Sequence, residues 1–221
     1  MIEGVAGLDG VAGLGSLDDP MRQRLYTYVG EQDGPVSRDE AAAAAGIGRT
    51  LAAYHLDKLA EAGLLTVSYA RPAGRGGPGA GRPAKRYRIA ATELAVSVPP
   101  RAYELLARLL VESVEHDASG TVRDAVYQAA QDTGRRMAAE SGADLETTLR
   151  SCGYQPHAVA DGTIELRNCP FHRLAAEHLD LVCGLNLRLV SGMITEHGDT
   201  TPKAHLRPRS DRCCVEIRPQ R

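Results

Sequence analysis

Apolar positions along this chain change period several times, and each change marks an element. Met21, Leu25, Tyr28 and Val29 recur at helical spacing, and so do Ile47, Leu51, Ala52, Leu56, Leu59 and Ala60. Leu64 to Tyr69 and Arg86 to Ile89 have strand composition instead. After the break at Val98-Pro99-Pro100, a longer helical stripe runs through Leu105, Leu106, Leu109, Leu110 and Val114. Gly120 interrupts it, and Val122, Val126, Ala129, Ala130 and Met137 mark a further helix over about 122–140. The last third predicts a helix over 145–151, a hairpin from 155–159 and 163–167 about the Asp161-Gly162 turn, and a helical region over 171–196. Strands over 204–208 and 213–218 follow. The order implies an α+β chain, with central helices and a small C-terminal α+β domain. In that domain a four-stranded antiparallel sheet carries helices on one face.

Local signals sharpen the N-terminal boundaries. Asp19 can cap the first helix, with Pro20 in its first turn. Ser37 caps the second, and Glu40, three residues on, completes a capping box. The alanines 41–45 favour helix, Gly46 permits the tight turn, and Gly63 ends the next helix. Helix, tight turn and helix, followed by a hairpin, is a winged helix-turn-helix layout, in which the second helix enters the major groove of DNA. On that helix Leu51, Leu56 and Leu59 are expected to face the core and His55 to pack at its boundary. Arg49 and Thr50 are placed for base edges, and Tyr54 and Lys58 for phosphate.

Charge supports this assignment. The whole chain has a formal net charge of −2, yet residues 20–98 carry eleven basic and seven acidic side chains. From Arg71 to Arg88 there are six basic residues and no acidic one, across a Gly- and Pro-rich loop. Such a segment is either a solvated basic loop or a wing lying on the DNA backbone, with Arg75, Arg82 and Lys85 as its contacts. The run HLDKLAEAGLL followed by GRPAKRYRI resembles the winged-helix domain of ArsR-like and MarR-like bacterial repressors, over about residues 18–92. That resemblance implies a homodimer on a near-palindromic double-stranded DNA operator. The central helices, with their apolar stripe, are the expected dimerisation region.

Four segments are therefore expected: a disordered tail over 1–16, which holds a short Gly-Val-Ala-Gly-Leu repeat; a winged helix-turn-helix over 17–97; helices over 98–142; and a C-terminal domain over 143–221. No apolar run is long enough to span a membrane, and the N-terminus lacks the features of a signal peptide, so a cytoplasmic protein is expected.

All five cysteines, Cys152, Cys169, Cys183, Cys213 and Cys214, fall in the C-terminal domain. In a cytosolic chain, clustered cysteines point to metal or redox chemistry before disulfides, and the odd count agrees. Cys169 is expected to open a helix, which would lower its thiol pKa. Strand alternation would put Cys213 on the helix-covered face and turn Cys214 away from it. Cys152, at a helix stop, is expected to stand apart. The elements NCPF, VCGLN and CCVEI after a winged helix resemble the SufR-type iron–sulfur repressors. The resemblance implies a [4Fe–4S] cluster on Cys169, Cys183 and Cys213, with the fourth position open and His172 a candidate for it. Two other readings of the same residues stay open: a Cys3His zinc site, and buried cysteines acting as small hydrophobes. The overall expectation is a transcriptional regulator, a repressor that senses iron–sulfur or redox status. The alternative is a winged-helix regulator, zinc-stabilised or metal-free, that responds to a small ligand. No CxxC, nucleotide loop or catalytic triad supports an enzyme.

Overall fold

The computed structural model describes residues 13–70, 83–90, 101–198, 202–209 and 212–219. The chain divides into two units, Met1–Arg101 and Ala102–Arg221.

In the first unit α1 (Pro20–Glu31) starts at Asp19, whose carboxylate accepts from the amides of Met21 and Arg22. A two-residue strand, β1 (Val36–Ser37), precedes α2 (Arg38–Ala45). The capping box is complete: Ser37 Oγ accepts from the Glu40 amide at 3.2 Å, and Glu40 accepts from the Ser37 amide at 2.6 Å. Gly46 takes a left-handed conformation, φ 65°, which a side chain would strain, and so turns the chain into α3 (Arg49–Glu61). Strands β2 (Leu65–Ala70) and β3 (Ala84–Ile89) pair antiparallel, and the sheet order is β1-β3-β2. Leu25, Leu56, Leu59, Leu65 and Tyr87 form a closed core beneath the sheet and helices. This is a winged helix-turn-helix. β1 had no signal in the sequence, since two residues are too few to show alternation.

Two sequence expectations fail here. Leu51 is 46% exposed and does not face the core, because the core arc of α3 is narrow and is filled by Ala52, His55, Leu56 and Leu59. Gly13 to Ser16, assigned to the disordered tail, are helical, and Ser16 is buried. Residues 1–12 and the wing tip, including Arg75 and Arg82, lie outside the described residues.

The second unit contains α4 (Tyr103–Glu115), α5 (Thr121–Ser141), α6 (Leu145–Ser151), β4 (Pro156–Ala158), β5 (Ile164–Leu166), α7 (His172–Glu177), α8 (Leu179–Glu196), β6 (Lys203–Leu206) and β7 (Val215–Arg218). The strands form an antiparallel sheet in the order β4-β5-β7-β6. Its apolar side, with Leu166, Val215 and Ile217, joins a core shared with α6, α7 and α8. On β5 and β7, Glu165 and Glu216 stand directly opposite each other. That pairing of like charges is neutralised by Arg209, which reaches both carboxylates, by Arg212 on Glu165 and by Arg218 on Glu216.

Helices α5 and α8 approach to backbone contact. A Cβ on Gly134 would overlap the Leu189 carbonyl, and one on Gly192 would overlap the Gln131 carbonyl. The missing side chains thus fix the depth at which α8 sits, and with it Cys183 and Asn186.

Candidate functional site

The recognition helix α3 presents Arg49, Thr50, Leu51 and Tyr54 to solvent. Arg49 Nε lies 2.7 Å from Asp39 Oδ1, but both side chains are about two-thirds exposed, and pairs of this kind contribute little and exchange readily. Lys58 is similarly paired with Glu61 at 2.7 Å. His55 is buried, as its place in the helical period implied, with Nδ1 at 4.0 Å from Asp19 Oδ2.

A polar knot ties α3 to the wing. Asp57 accepts from Arg38 Nη2 at 2.9 Å, Lys85 Nζ at 2.5 Å and Tyr87 Oη at 2.6 Å. Partial burial pushes the Asp57 carboxyl up. The hydrogen bonds from Lys85 and Tyr87, with the charges of Lys85 and Arg38, more than reverse this and hold it below the ordinary carboxylate value. Burial and the bond to Asp57 push the Tyr87 phenol up to about 12. Lys85, expected on phosphate, is thus a member of this knot at the root of the wing.

In the second unit the sulfurs converge. Cys169 lies in the loop before α7, Cys183 in the second turn of α8, and Cys213 and Cys214 just before β7. Cys183, Cys213 and Cys214 are buried and Cys169 is half-buried. Cys169 interacts electrostatically with Cys213, Cys213 with Cys214, and Cys183 with Cys214. The backbone holds the loops in register. Cys213 N–H donates to the Leu166 carbonyl at 2.9 Å, and the Cys214 carbonyl accepts from Arg207 N–H at 2.6 Å. The Asn168 carboxamide donates to the Gly153 carbonyl at 2.6 Å, which joins the Cys169 loop to the loop carrying Tyr154.

At the centre lies Asn186, fully buried on α8. Its Nδ2 is 3.2 Å from Cys213 Sγ and 4.0 Å from Cys169 Sγ, and its Oδ1 accepts from Tyr154 Oη at 2.5 Å. Tyr154 is 2% exposed and interacts electrostatically with Cys213, Cys169, Cys152 and Cys214. Neither Asn186 nor Tyr154 stood out in the sequence. The signal for Asn186 was its spacing: three residues after Cys183, in a helix otherwise apolar there, it shares that cysteine's face.

Three expectations about the thiols need correction. Cys214 does not turn away from the others; regular pairing begins at Val215, so strand alternation does not govern the two preceding residues. Cys169 does not open a helix, because α7 begins at His172 and is six residues long. Its thiol pKa is raised, not lowered: the hydrogen bond with Cys213 and burial outweigh the backbone amide of Phe171. His172 is exposed on the first turn of α7, and its backbone amide donates to the Cys169 carbonyl at 3.1 Å. Cys152 caps α6 at the edge of the site, half-buried.

The other thiols follow the same electrostatics. The bond from Cys169 favours the Cys213 thiolate, but Cys214 and burial prevail and push it up to about 11. Burial raises Cys183. Cys169, Cys183 and Cys213 thus all have raised thiol pKa values, and any group that takes them as thiolates must release protons. Their donor chemistry suits a thiophilic metal or cluster. Among the described residues no three His, Cys, Asp or Glu side chains already surround a common metal position.

Residues 17–68 match a protein family described as a helix-turn-helix domain. One solved structure similar to this chain is the homodimeric winged helix-turn-helix DNA-binding domain (fragment 1–100) of a possible ArsR-family transcriptional regulator from Mycobacterium bovis. It is 24% identical, with 54% of this chain and 92% of that chain covered and a TM-score of 0.31. No curated protein matches the chain. Among the described residues no helix is long and apolar enough to cross a membrane.

Proposed function

We propose that this chain is a homodimeric, DNA-binding transcriptional regulator whose C-terminal thiol site senses iron–sulfur or redox status through a bound [4Fe–4S] cluster. The helix-turn-helix match and the exposed N-terminal turn of α3 support the DNA-binding part, and a winged helix-turn-helix is a binding fold, not a catalytic one. The observation that carries the sensor is the meeting of four thiols, brought from three separate segments, about one buried amide. Cysteines that served merely as small hydrophobes would have no need of a polar partner held in place by a tyrosine.

Cys169, Cys183 and Cys213 would hold the cluster. Cys214, which interacts with Cys183 and Cys213, joins His172 as a candidate for the remaining position. When bound, such a cluster supplies a redox-active and oxygen-sensitive centre. The chain's own part is to gather the sulfurs in a mostly buried site and to connect them to the rest of the fold. Cys169 leads into α7, and α7 is ion-paired to α4 through Arg173–Glu104 at 3.0 Å and Arg108–Glu177. Helix α4 carries Leu105, Leu106, Leu109 and Leu110, each half or more exposed, a face suited to a second copy of the chain. Repression of the target genes is part of the same reading.

The test is purification without oxygen, followed by iron, sulfide and zinc analysis. Iron and sulfide in near-equal amounts are expected, with iron lost in each of Cys169→Ser, Cys183→Ser and Cys213→Ser and reduced in Cys214→Ser. One zinc per chain with no sulfide would replace the cluster by a structural zinc site. Wild-type metal content and DNA binding in all the serine variants would end the sensor reading.

A further inference from the structure

We propose that Asn186, aimed by Tyr154, is a positioning residue of the thiol site: its carboxamide N–H groups donate to the cysteine sulfurs and fix the arrangement in which they take a metal. This rests on the reading of that site as metal-binding and assigns a role to two residues outside the ligand set.

Asn186 is 0% exposed, so its amide has no access to water and must find partners inside the protein. Its carbonyl oxygen is taken by the Tyr154 hydroxyl at 2.5 Å. That bond decides which end of the amide faces the sulfurs: the oxygen is held by Tyr154, so the nitrogen points to Cys213 at 3.2 Å and toward Cys169 at 4.0 Å. Thiol sulfur is a poor acceptor, whereas thiolate is a strong one. A donor held this way sets the direction from which the Cys213 and Cys169 sulfurs are approached, and so orients them as ligands. The frame behind it is stiff. α8 is locked on α5 where Gly134 and Gly192 allow backbone contact, and Tyr154 lies in a loop pinned by Asn168. Groups that orient metal ligands without touching the metal typically change affinity about 10–100-fold when removed.

Two variants separate this role from packing. Asn186→Leu keeps the branching at Cγ and removes the donor. Tyr154→Phe keeps the ring and removes the group that orients the donor, and it decides the matter if the leucine variant does not fold. The full-length, metal-free protein is titrated with cadmium, whose thiolate charge-transfer absorbance reports binding to sulfur whatever the natural cofactor. Cadmium affinity is expected to fall about 10-fold or more in Asn186→Leu and by a smaller factor in Tyr154→Phe, with circular dichroism unchanged. With a cluster rebuilt from ferrous iron and sulfide, the reduction potential is expected to move to more negative values, since hydrogen bonds to sulfur favour the reduced state. Folded variants that bind cadmium as tightly as the wild type overturn the proposal and leave the metal site standing. A wild-type chain without a cadmium–thiolate band overturns the metal site itself, and this role with it.

Discussion

At the scale of single residues, exposure separates side chains available to DNA from those held by the fold. Arg49 is 64% exposed in its pair with Asp39, so a base edge can displace the carboxylate at little cost. Arg49→Ala is expected to leave the fold unchanged and to weaken binding to a sequence selected from random DNA by about 1–3 kcal/mol, with little effect on unrelated DNA. Equal losses on both would remove Arg49 from base reading. Asp57 behaves differently. Its folded pKa is depressed, so the stabilisation it gives is fully present above its unfolded value of about 3.9 and is lost as pH falls through the folded value. Asp57→Asn should therefore destabilise the chain at neutral pH, by about 1 kcal/mol after allowance for its partial exposure, and flatten the fall in stability below about pH 4. Urea midpoints across that range check it, and an unchanged acid limb would show that the knot is not a stabilising one. The knot was not legible in the sequence because Arg38, Asp57, Lys85 and Tyr87 come together from three elements.

At the scale of elements, periodicity read well wherever an element was long enough to show it. The capping residues Asp19 and Ser37, the turn at Gly46 and the hairpin β4-β5 are where the pattern placed them. The misreadings lie at ends and breaks. The helical region over 171–196 is divided at His178 into α7 and α8, and the last strand starts after the cysteine pair, not on it. Placing Cys213 and Cys214 on opposite faces required regular pairing at both residues, and a bend there undoes the argument. Helix α4 shows the reverse case. Its leucine stripe was legible as apolar, and the fold leaves Leu106 and Leu110 54% and 59% exposed within one chain. Burying that stripe against a second copy would remove apolar surface from water at about 25 cal/mol per Å². Leu106→Glu with Leu110→Glu is expected to give folded monomers by sedimentation, and weak binding to single half-sites. A variant that remains a dimer moves the interface to another face.

For the whole molecule, a sensor requires that the state of the thiols alter affinity for DNA, and the fold offers a physical route within the second unit. Helix α7 begins three residues after Cys169, and two of its side chains are tied to α4. Arg173 pairs with Glu104, Arg108 bridges Glu104 and Glu177, and His178 Nδ1 lies 2.9 Å from Glu115. In the proposed sensor, thiols that shift to accept a metal would move the Cys169 loop, α7 and then α4, whose exposed face is the proposed dimer contact. Operators demand a fixed half-site spacing, so on the proposed reading a change at that contact is expected to change operator affinity. The effect is measurable as a coupling factor, the ratio of operator affinities of metal-loaded and metal-free protein, and such factors commonly lie at about 5–150. The double variant Arg108→Ala, Arg173→Ala removes the arginine ties and leaves the His178–Glu115 pair, the thiols and the leucine stripe untouched. We expect it to fold, dimerise and bind metal as the wild type does, with a coupling factor reduced toward one. No single tie is strong, since each pair is partly exposed, so both arginines are replaced together. A double variant with the wild-type factor would show that the signal does not pass through the α7–α4 contact. A wild-type factor of one would show that the thiol site does not regulate DNA binding.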